Sequence, residues 1–315
     1  MRLDDMINSE NCCGATDTGR KRENNQDAFL IGRLAKSMLV GVNSLGIEPR
    51  TRLVGDDRGW LMLVADGMGG HAAGERASAL AIQYLVKRLL NNVHWFIHLT
   101  PSEEQQFIDG LKNLLRDAHH EIQLEGRRNS ALEGMGTTLT MAYLVWPTLY
   151  VLHAGDSRCY LVRDSQVKCL TTDHTLARRM VESGGLSPED ETASRWSNVL
   201  WNVLGGRSEE QLKAEVHQVQ LQHGDTIVLC SDGLHRYLSD AALLKILAAG
   251  QSCSDVCQTL IDLANARGGE DNITVIVAQA SHVPRHKRRD PLASTATDLP
   301  QINFRSDPET LDLNP

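Results

Sequence analysis

The sequence has no excess of basic residues. Its 32 Lys and Arg side chains stand against 40 Asp and Glu, which gives a net charge of −8. Proteins that bind nucleic acid generally carry a basic excess or a basic patch that neutralises phosphates. We therefore expect no nucleic-acid partner.

Long apolar runs are also missing. No stretch approaches the roughly 18 apolar residues that a membrane span requires, and residues 1–10 carry acids and no apolar core like that of a signal peptide. These features predict a cytoplasmic protein with no membrane partner.

Cysteine is present without a recognisable pairing pattern. The seven cysteines are an odd number and form no CxxC pair or zinc-ligand spacing. They are predicted to be reduced thiols in apolar segments, and most of them are expected to pack in the core.

The length of 315 residues and the hydrophobic content of 41% suffice for one large domain or two small ones. The last strand-like segment ends near Ala280. Beyond it come a basic cluster at 285–289 and then Ser, Thr, Pro and Asp without periodicity. We predict one folded catalytic unit over residues 1–280 and a disordered tail over 281–315.

Acidic residues recur where short apolar segments meet turns. The pairs are Asp66-Gly67 after 61–64, Gly155-Asp156 after 150–152, Asp232-Gly233 after 227–229, and Asp271-Asn272 before 273–278. In an antiparallel arrangement, strand exits and a strand entry share one sheet edge. Carboxylates gathered there would repel by about 4 kcal/mol per close pair at an effective dielectric of roughly 20. Such a cluster indicates a multivalent cation, and oxygen ligands favour magnesium or manganese over zinc.

Turn chemistry offers a simpler explanation for each pair taken alone. Asp-Gly is a common turn dipeptide, and a single one after a strand is usually only a turn. Turn chemistry could produce all four independently. Their recurrence on four well-separated segments favours the metal site.

Strand and helix signals occur in blocks. Two amphipathic helices follow Asp66-Gly67, two more are predicted over 240–249 and 254–266, and a strand near 216–221 leads through the turn 223–225 into 226–230. Residues 36–59 are irregular and fit either a long loop or a hairpin. This order favours an α+β layered sandwich over a doubly wound parallel sheet.

A series of longer motifs carries a family resemblance. They are RENNQD at 22–27, VADGMGGHAAGERAS at 64–78, GMGTT at 134–138, HAGDSR at 153–158, CSDGL at 230–234 and GGEDNITVIV at 268–277. Over residues 14–280 the chain resembles the bacterial-type, metal-dependent serine/threonine protein phosphatases, the protein phosphatase 2C-like or PPM family. The resemblance implies a four-layer α-β-β-α sandwich with two central antiparallel sheets.

The resemblance also implies a metal-ligand set. Asp66 would bridge two Mn²⁺ or Mg²⁺ ions, helped by the Gly67 carbonyl, while Asp232 and Asp271 complete the pair's coordination. Asp156 would serve a third, more weakly held ion. The implied cofactors are therefore two or three such ions.

Two residues of the first motif take supporting roles in this resemblance. Asp27 matches the acid that supports the metal waters, and Arg22 matches the arginine that grips the substrate phosphate. The planar guanidinium suits that role because it can bind two phosphate oxygens at once. Without the motif, Arg22 would be read as a solvated charge in a basic run.

The implied reaction is hydrolysis of phosphoserine or phosphothreonine in proteins, with a metal-activated water as the nucleophile. The expected partners are phosphorylated protein substrates made by a Ser/Thr kinase, acted on by a monomeric enzyme. Residues 174–206, rich in turn formers from Glu182 to Asp190, are expected to include a flap beside the active site.

Two other functions remain open at this stage. Cys230 and Arg236 also fit CxxGxxR, the phosphate loop of cysteine-dependent phosphatases, although Asp232 would place a carboxylate inside that anion site. A metal-stabilised scaffold or phosphopeptide-binding module without turnover is the second alternative. The presence of all four metal aspartates favours the enzyme.

Overall fold

The computed structural model describes residues 11–42, 44–91, 101–207 and 211–280, so the predicted tail lies outside the described residues. The strands are β1 Cys12–Asp17, β2 Asp27–Leu39, β3 Arg52–Met68, β4 Gly136–Thr137, β5 Leu139–Val145, β6 Thr148–Ala154, β7 Arg158–Arg163, β8 Gln166–Cys169, β9 Leu204–Gly205, β10 Glu215–Gln220, β11 Thr226–Cys230 and β12 Ile273–Gln279. The helices are α1 His71–Asn91, α2 Pro101–Arg128, α3 Leu176–Glu182, α4 Asp232–His235, α5 Asp240–Leu247 and α6 Cys253–Ala266.

The strands form two antiparallel sheets. The larger sheet runs β10-β6-β5-β3-β4-β9, with β2 also paired to β3, and the smaller runs β1-β12-β11-β7-β8. Strand β3 shows how they stack. Leu61 and Leu63 face the core shared with α1 and α2, whereas Met62 and Val64 face the core between the sheets. Because neighbouring side chains in a strand point to opposite faces, this fully apolar run fits a strand covered on both sides.

The smaller sheet is covered in the same way. Val275 and Val277 of β12 pack in a core that includes Leu260 of α6, while Ile276 joins the core between the sheets. Three apolar cores therefore separate four layers. The predicted α-β-β-α sandwich with two antiparallel sheets is confirmed.

Some local features differ from the sequence reading. Half of the irregular stretch 36–59 lies in the paired strands β2 and β3 and the rest connects them, so the hairpin alternative holds. The turn at 223–225 joins strands of different sheets, because β10 pairs with β6 and β11 pairs with β7 and β12. Helix α5 ends at Leu247, two residues before the predicted end, and α6 begins at Cys253, one residue early.

None of the helices in the described parts of the chain combines the length and the apolar character needed to cross a bilayer.

Helix α2 offers a test of the core between helices and sheet. Leu115 is fully buried, whereas Leu124 on the same helix is 42% exposed. We expect Leu115→Ala to lower the free energy of unfolding by about 2–5 kcal/mol, because it removes apolar contacts and leaves a cavity.

Leu124→Ala is the matched control and should change stability by about 0.5 kcal/mol or less. Urea denaturation of both variants measures the difference. Equal losses for the two would contradict the packing described here.

Candidate metal centre

The β2–β3 hairpin places two of the predicted acids side by side. Asp27 opens β2, and its Cα partner across the hairpin is Asp66 near the end of β3. Backbone pairing therefore fixes their proximity, although 38 residues separate them in the chain.

The GMGTT motif holds Asp66 through its main chain. The amide of Asp66 donates to Thr138 Oγ1 at 3.0 Å, and the Asp66 carbonyl accepts from the Thr138 amide and from Thr137 Oγ1, both at 2.9 Å. The following residue must be glycine, because a Cβ on Gly67 would lie 2.1 Å from the Gly74 carbonyl oxygen. These bonds involve only main-chain atoms of Asp66, so the position of the residue does not depend on hydrogen bonds of its carboxylate.

Asp156 sits in a turn held by histidines. Gly155 has a φ of +118°, its amide donates to His174 Nδ1 at 3.1 Å, and its carbonyl accepts from the His174 amide at 2.7 Å. The Asp156 carbonyl accepts from His235 Nε2 at 3.0 Å. The side chain of Asp156 is buried at the end of β6 as a result.

Asp232 and Asp27 are linked through Ser231. Ser231 Oγ donates to Asp27 Oδ2 at 2.7 Å, while Asp232 opens the short helix α4. Arg236, one helical turn later, donates to Asp232 Oδ2. The residue that follows β11, Ser231, thus connects Asp232 in the chain with Asp27 across the fold.

Asp271 completes the set from the smaller sheet. Its Oδ2 accepts from Arg22 Nη2 at 2.8 Å. The next residue, Asn272, binds the loop that carries Arg22. Its Oδ1 accepts from the Gln26 amide at 2.8 Å, and its Nδ2 donates to the Thr18 and Asn24 carbonyls at 2.9 Å. Asn272 therefore joins the first and last motifs.

A cavity of about 870 Å³ collects these side chains. Every predicted site residue lines it except Asp27, and the lining includes Arg22, Asp66, Gly67, Asp156, Asp232 and Asp271. Asp27 lies behind the cavity wall as the partner of Asp66, a position that suits an outer supporting role. Residues 198–200 also line the cavity, as expected for a segment of the proposed flap.

The carboxylates disturb one another's protonation. Burial raises the pKa of Asp66 well above its usual range, and the charges of Asp27 and Asp232 add to the rise. Burial likewise raises the pKa of Asp156 well above its usual range and that of Asp27 to about 7. Burial and mutual repulsion therefore disfavour full ionisation of these carboxyl groups, and a bound cation would favour it.

The donor atoms fit a hard divalent cation. Among the described residues, Asp27 Oδ1 and Asp232 Oδ1 are buried without a hydrogen-bond partner. Within those same residues the cavity lining contains carboxylates and no histidine or cysteine. Oxygen ligands of this kind suit Mg²⁺ or Mn²⁺.

A second polar cluster behind Asp156 consists of His153, His174 and Glu215, whose ligand atoms lie within 4.8 Å of one another. His153 Nδ1 lies 2.9 Å from Thr140 Oγ1, and its Nε2 lies 3.0 Å from the Gly155 carbonyl oxygen. Both ring nitrogens are thus engaged by the protein. His174 also bonds the main chain, through its ring and its amide to Gly155, so both histidines have structural hydrogen-bonding roles.

Cys230 does not belong to the cavity. It is fully buried in β11, and burial raises the pKa of its thiol. A catalytic cysteine needs an accessible thiolate. This geometry rules out the CxxGxxR mechanism.

Sequence reasoning gave no role to two residues of the site. Asn272 follows a predicted acid, and only its repeated contacts with the first motif reveal its function. Arg236 appeared only in the cysteine pattern, although its position four residues after Asp232 at the start of a helix predicts contact between the two side chains.

Comparison with known proteins agrees with this geometry. The sequence model of the family described as protein phosphatase 2C matches residues 50–268. This range contains Asp66, Asp156 and Asp232 but not Arg22, Asp27 or Asp271. The fold brings Arg22 and Asp271 to the same cavity and pairs Asp27 with Asp66.

A relative from Listeria innocua, described as a serine/threonine phosphatase stp, is 34% identical over 71% of this chain and 85% of its own length. The S. agalactiae serine/threonine phosphatase structure has a TM-score of 0.69 at 30% identity and covers 86% of this chain and 99% of that one. The catalytic domain of the phosphatase PstP, in complex with two manganese ions, has a TM-score of 0.66 at 28% identity and covers 88% and 100%. Because the family match spans well over half of a chain whose acids meet in one cavity, the chain belongs to the protein phosphatase 2C family.

Proposed function

We propose that this protein is a metal-dependent phosphatase that hydrolyses phosphoserine and phosphothreonine in proteins. The observation that carries the proposal is the meeting of Asp66, Asp156, Asp232 and Asp271 in one open cavity with Arg22 at its wall. Membership of the family and the names of its relatives support the substrate class.

Two Mn²⁺ or Mg²⁺ ions form the core of the proposed centre. Asp66, helped by the Gly67 carbonyl, would hold them together with Asp232 and Asp271. The neighbour that holds two manganese ions supports this number. Asp156, at the end of a different strand, would hold a third and weaker ion.

When bound, such an ion pair supplies an acidified water as nucleophile and stabilises the charge of in-line displacement at phosphorus. The protein supplies the positions. Arg22, about half exposed, places its guanidinium beside Asp271 and directs remaining N–H groups to a phosphate. Asp27 would hold the waters of the outer shell from behind Asp66.

The cavity is wide enough for a phosphorylated side chain of a protein. Its volume of about 870 Å³ leaves room for the substrate residues on either side of the phosphorylated one, and residues 198–200 form part of its wall. The proposed partners are therefore phosphoproteins produced by a Ser/Thr kinase. We also propose that the enzyme acts as a monomer and that residues 1–280 form its catalytic unit.

Metal dependence is the first test. Chelation should abolish phosphate release from a phosphoserine peptide, and Mn²⁺ should restore it. Asp66→Asn should lower kcat/KM by about 100-fold or more, since loss of the ions removes several kcal/mol of transition-state stabilisation. Asp109→Asn, at a 58% exposed side chain on α2, is the control and should leave the rate unchanged. Full activity in the presence of chelator would refute the proposal, and release under no metal condition would favour the scaffold alternative.

Arg22 provides the second test. Arg22→Ala should raise KM and lower kcat/KM by about ten- to a hundredfold, because hydrogen bonds to charged groups contribute about 1.5–3 kcal/mol. Arg20→Ala removes an exposed arginine from the same loop and should have little effect. Equal kinetics for the two variants would show that Arg22 does not hold the phosphate.

The cysteine mechanism makes an opposite prediction for a buried residue. Cys230→Ala should retain near-normal hydrolysis per folded molecule, because the thiol lies in the apolar core between β11 and the helices. Phosphate release assays with circular dichroism as the folding check measure this. Loss of all activity with intact folding and Mn²⁺ binding would restore the cysteine alternative.

A further inference from the structure

Arg236, the arginine of the CxxGxxR pattern, lines the cavity but has no role in the proposed mechanism. It is the C-cap residue that follows α4, and its side chain lies among the proposed metal ligands at the cavity wall. The backbone of α4 brings it there, because residues four apart on a helix share one face.

Its contact is with a proposed metal ligand. Arg236 Nη2 donates to Asp232 Oδ2, while Asp232 Oδ1 is buried without a partner among the described residues. The Asp232 side chain is 9% exposed and that of Arg236 is 30% exposed. One oxygen of the ligand is thus held by a cation from the protein itself.

The whole acid cluster acts on this guanidinium. Burial lowers the pKa of Arg236, but the carboxylates of Asp232, Asp156, Asp271 and Asp66 outweigh that effect and raise it. The positive charge of Arg236 therefore lies in the field of all four proposed ligands. A divalent ion at Asp232 would meet the same field and would be repelled by the guanidinium.

The structure offers an alternative position for the Arg236 side chain. A neighbouring cavity of about 650 Å³ shares Arg236, Asp156 and Asn198 with the first, and Glu270 lines it as a further acceptor. A displaced guanidinium can therefore turn away from Asp232 and remain near a carboxylate.

We propose that Arg236 is a resident cation of the metal centre, which neutralises Asp232 in the metal-free protein and competes with the divalent ion for it. The inference rests on the proposed function, because it takes Asp232 as a metal ligand. Arg236 thereby stabilises the metal-free protein and lowers the affinity for Mn²⁺ or Mg²⁺.

The test measures Mn²⁺ binding without substrate. The full-length parent chain and its Arg236→Gln and Arg236→Lys variants are treated with chelator and titrated with Mn²⁺ in an isothermal calorimeter. Electron paramagnetic resonance measures the concentration of free Mn²⁺. Arg236→Gln should bind Mn²⁺ about tenfold more tightly, a change of about 1.4 kcal/mol. Arg236→Lys keeps the charge and should stay within about threefold of the parent chain.

A second readout is thermal stability. Arg236→Gln should melt below the parent chain without metal and should gain more stability from the same concentration of Mn²⁺, since stabilisation by a ligand follows RT ln(1 + [L]/Kd) and so rises as Kd falls. Arg163→Gln is the matched control. Arg163 forms a similar pair with the buried carboxylate of Asp225, at 2.6 Å, and lies outside both cavities. Its loss should leave the Mn²⁺ affinity unchanged.

The outcomes separate the two proposals. Unchanged or weaker Mn²⁺ binding by folded Arg236→Gln, with normal binding by the parent chain, overturns this inference alone and makes Arg236 a residue that orients Asp232. A parent chain that binds no Mn²⁺ overturns the proposed function together with the inference.

Discussion

Repulsion between buried carboxylates is the interaction on which this site depends. Burial raises the pKa values of Asp27, Asp66, Asp156 and Asp232, and the charge of at least one neighbouring carboxylate adds to the rise at each of them. Separate strands hold them together because the apolar cores above and below the sheets fix the backbone. Packing in those cores therefore offsets the repulsion between the carboxylates. A bound cation would reduce that repulsion.

The residues that position the acids are mostly neutral. Thr138, Ser231 and Asn272 bind backbone atoms or a single carboxylate oxygen, and none of them cancels the negative charge. A site built on arginine or lysine contacts throughout would have satisfied the carboxylates and left little affinity for a metal. Neutral donors fix geometry while keeping the charge available. The exceptions, Arg22 and Arg236, each take one oxygen of a different aspartate.

The sequence predicted the layers and the cavity acids because both leave local patterns. Apolar runs such as 61–64 and 273–278 identify strands covered on both faces, and each ends or begins at an acid. The sequence does not decide between a loop and a hairpin for residues 36–59, because they mix glycine, proline and charge. Hydrogen bonding between β2 and β3 gives part of this stretch its strand conformation. The sheet change between β10 and β11 was not visible either, because a tight turn looks the same whether its strands pair or separate. Asn272 and Arg236 act through contacts that only the assembled fold defines.

Charge balance connects these residues to the choice of substrate. The cavity is lined by five carboxylates, including Glu23, and by three cationic side chains, which leaves a formal charge of −2. Such a surface repels a phosphate. Two divalent ions change the balance to +2, which matches a phosphate monoester that carries about −1.5 to −2 at neutral pH. Electrostatics therefore couples the affinity for the phosphate to the number of bound metal ions. The proposed role of Arg236 among the acids would affect the affinity for the metal and, through it, the affinity for the phosphate.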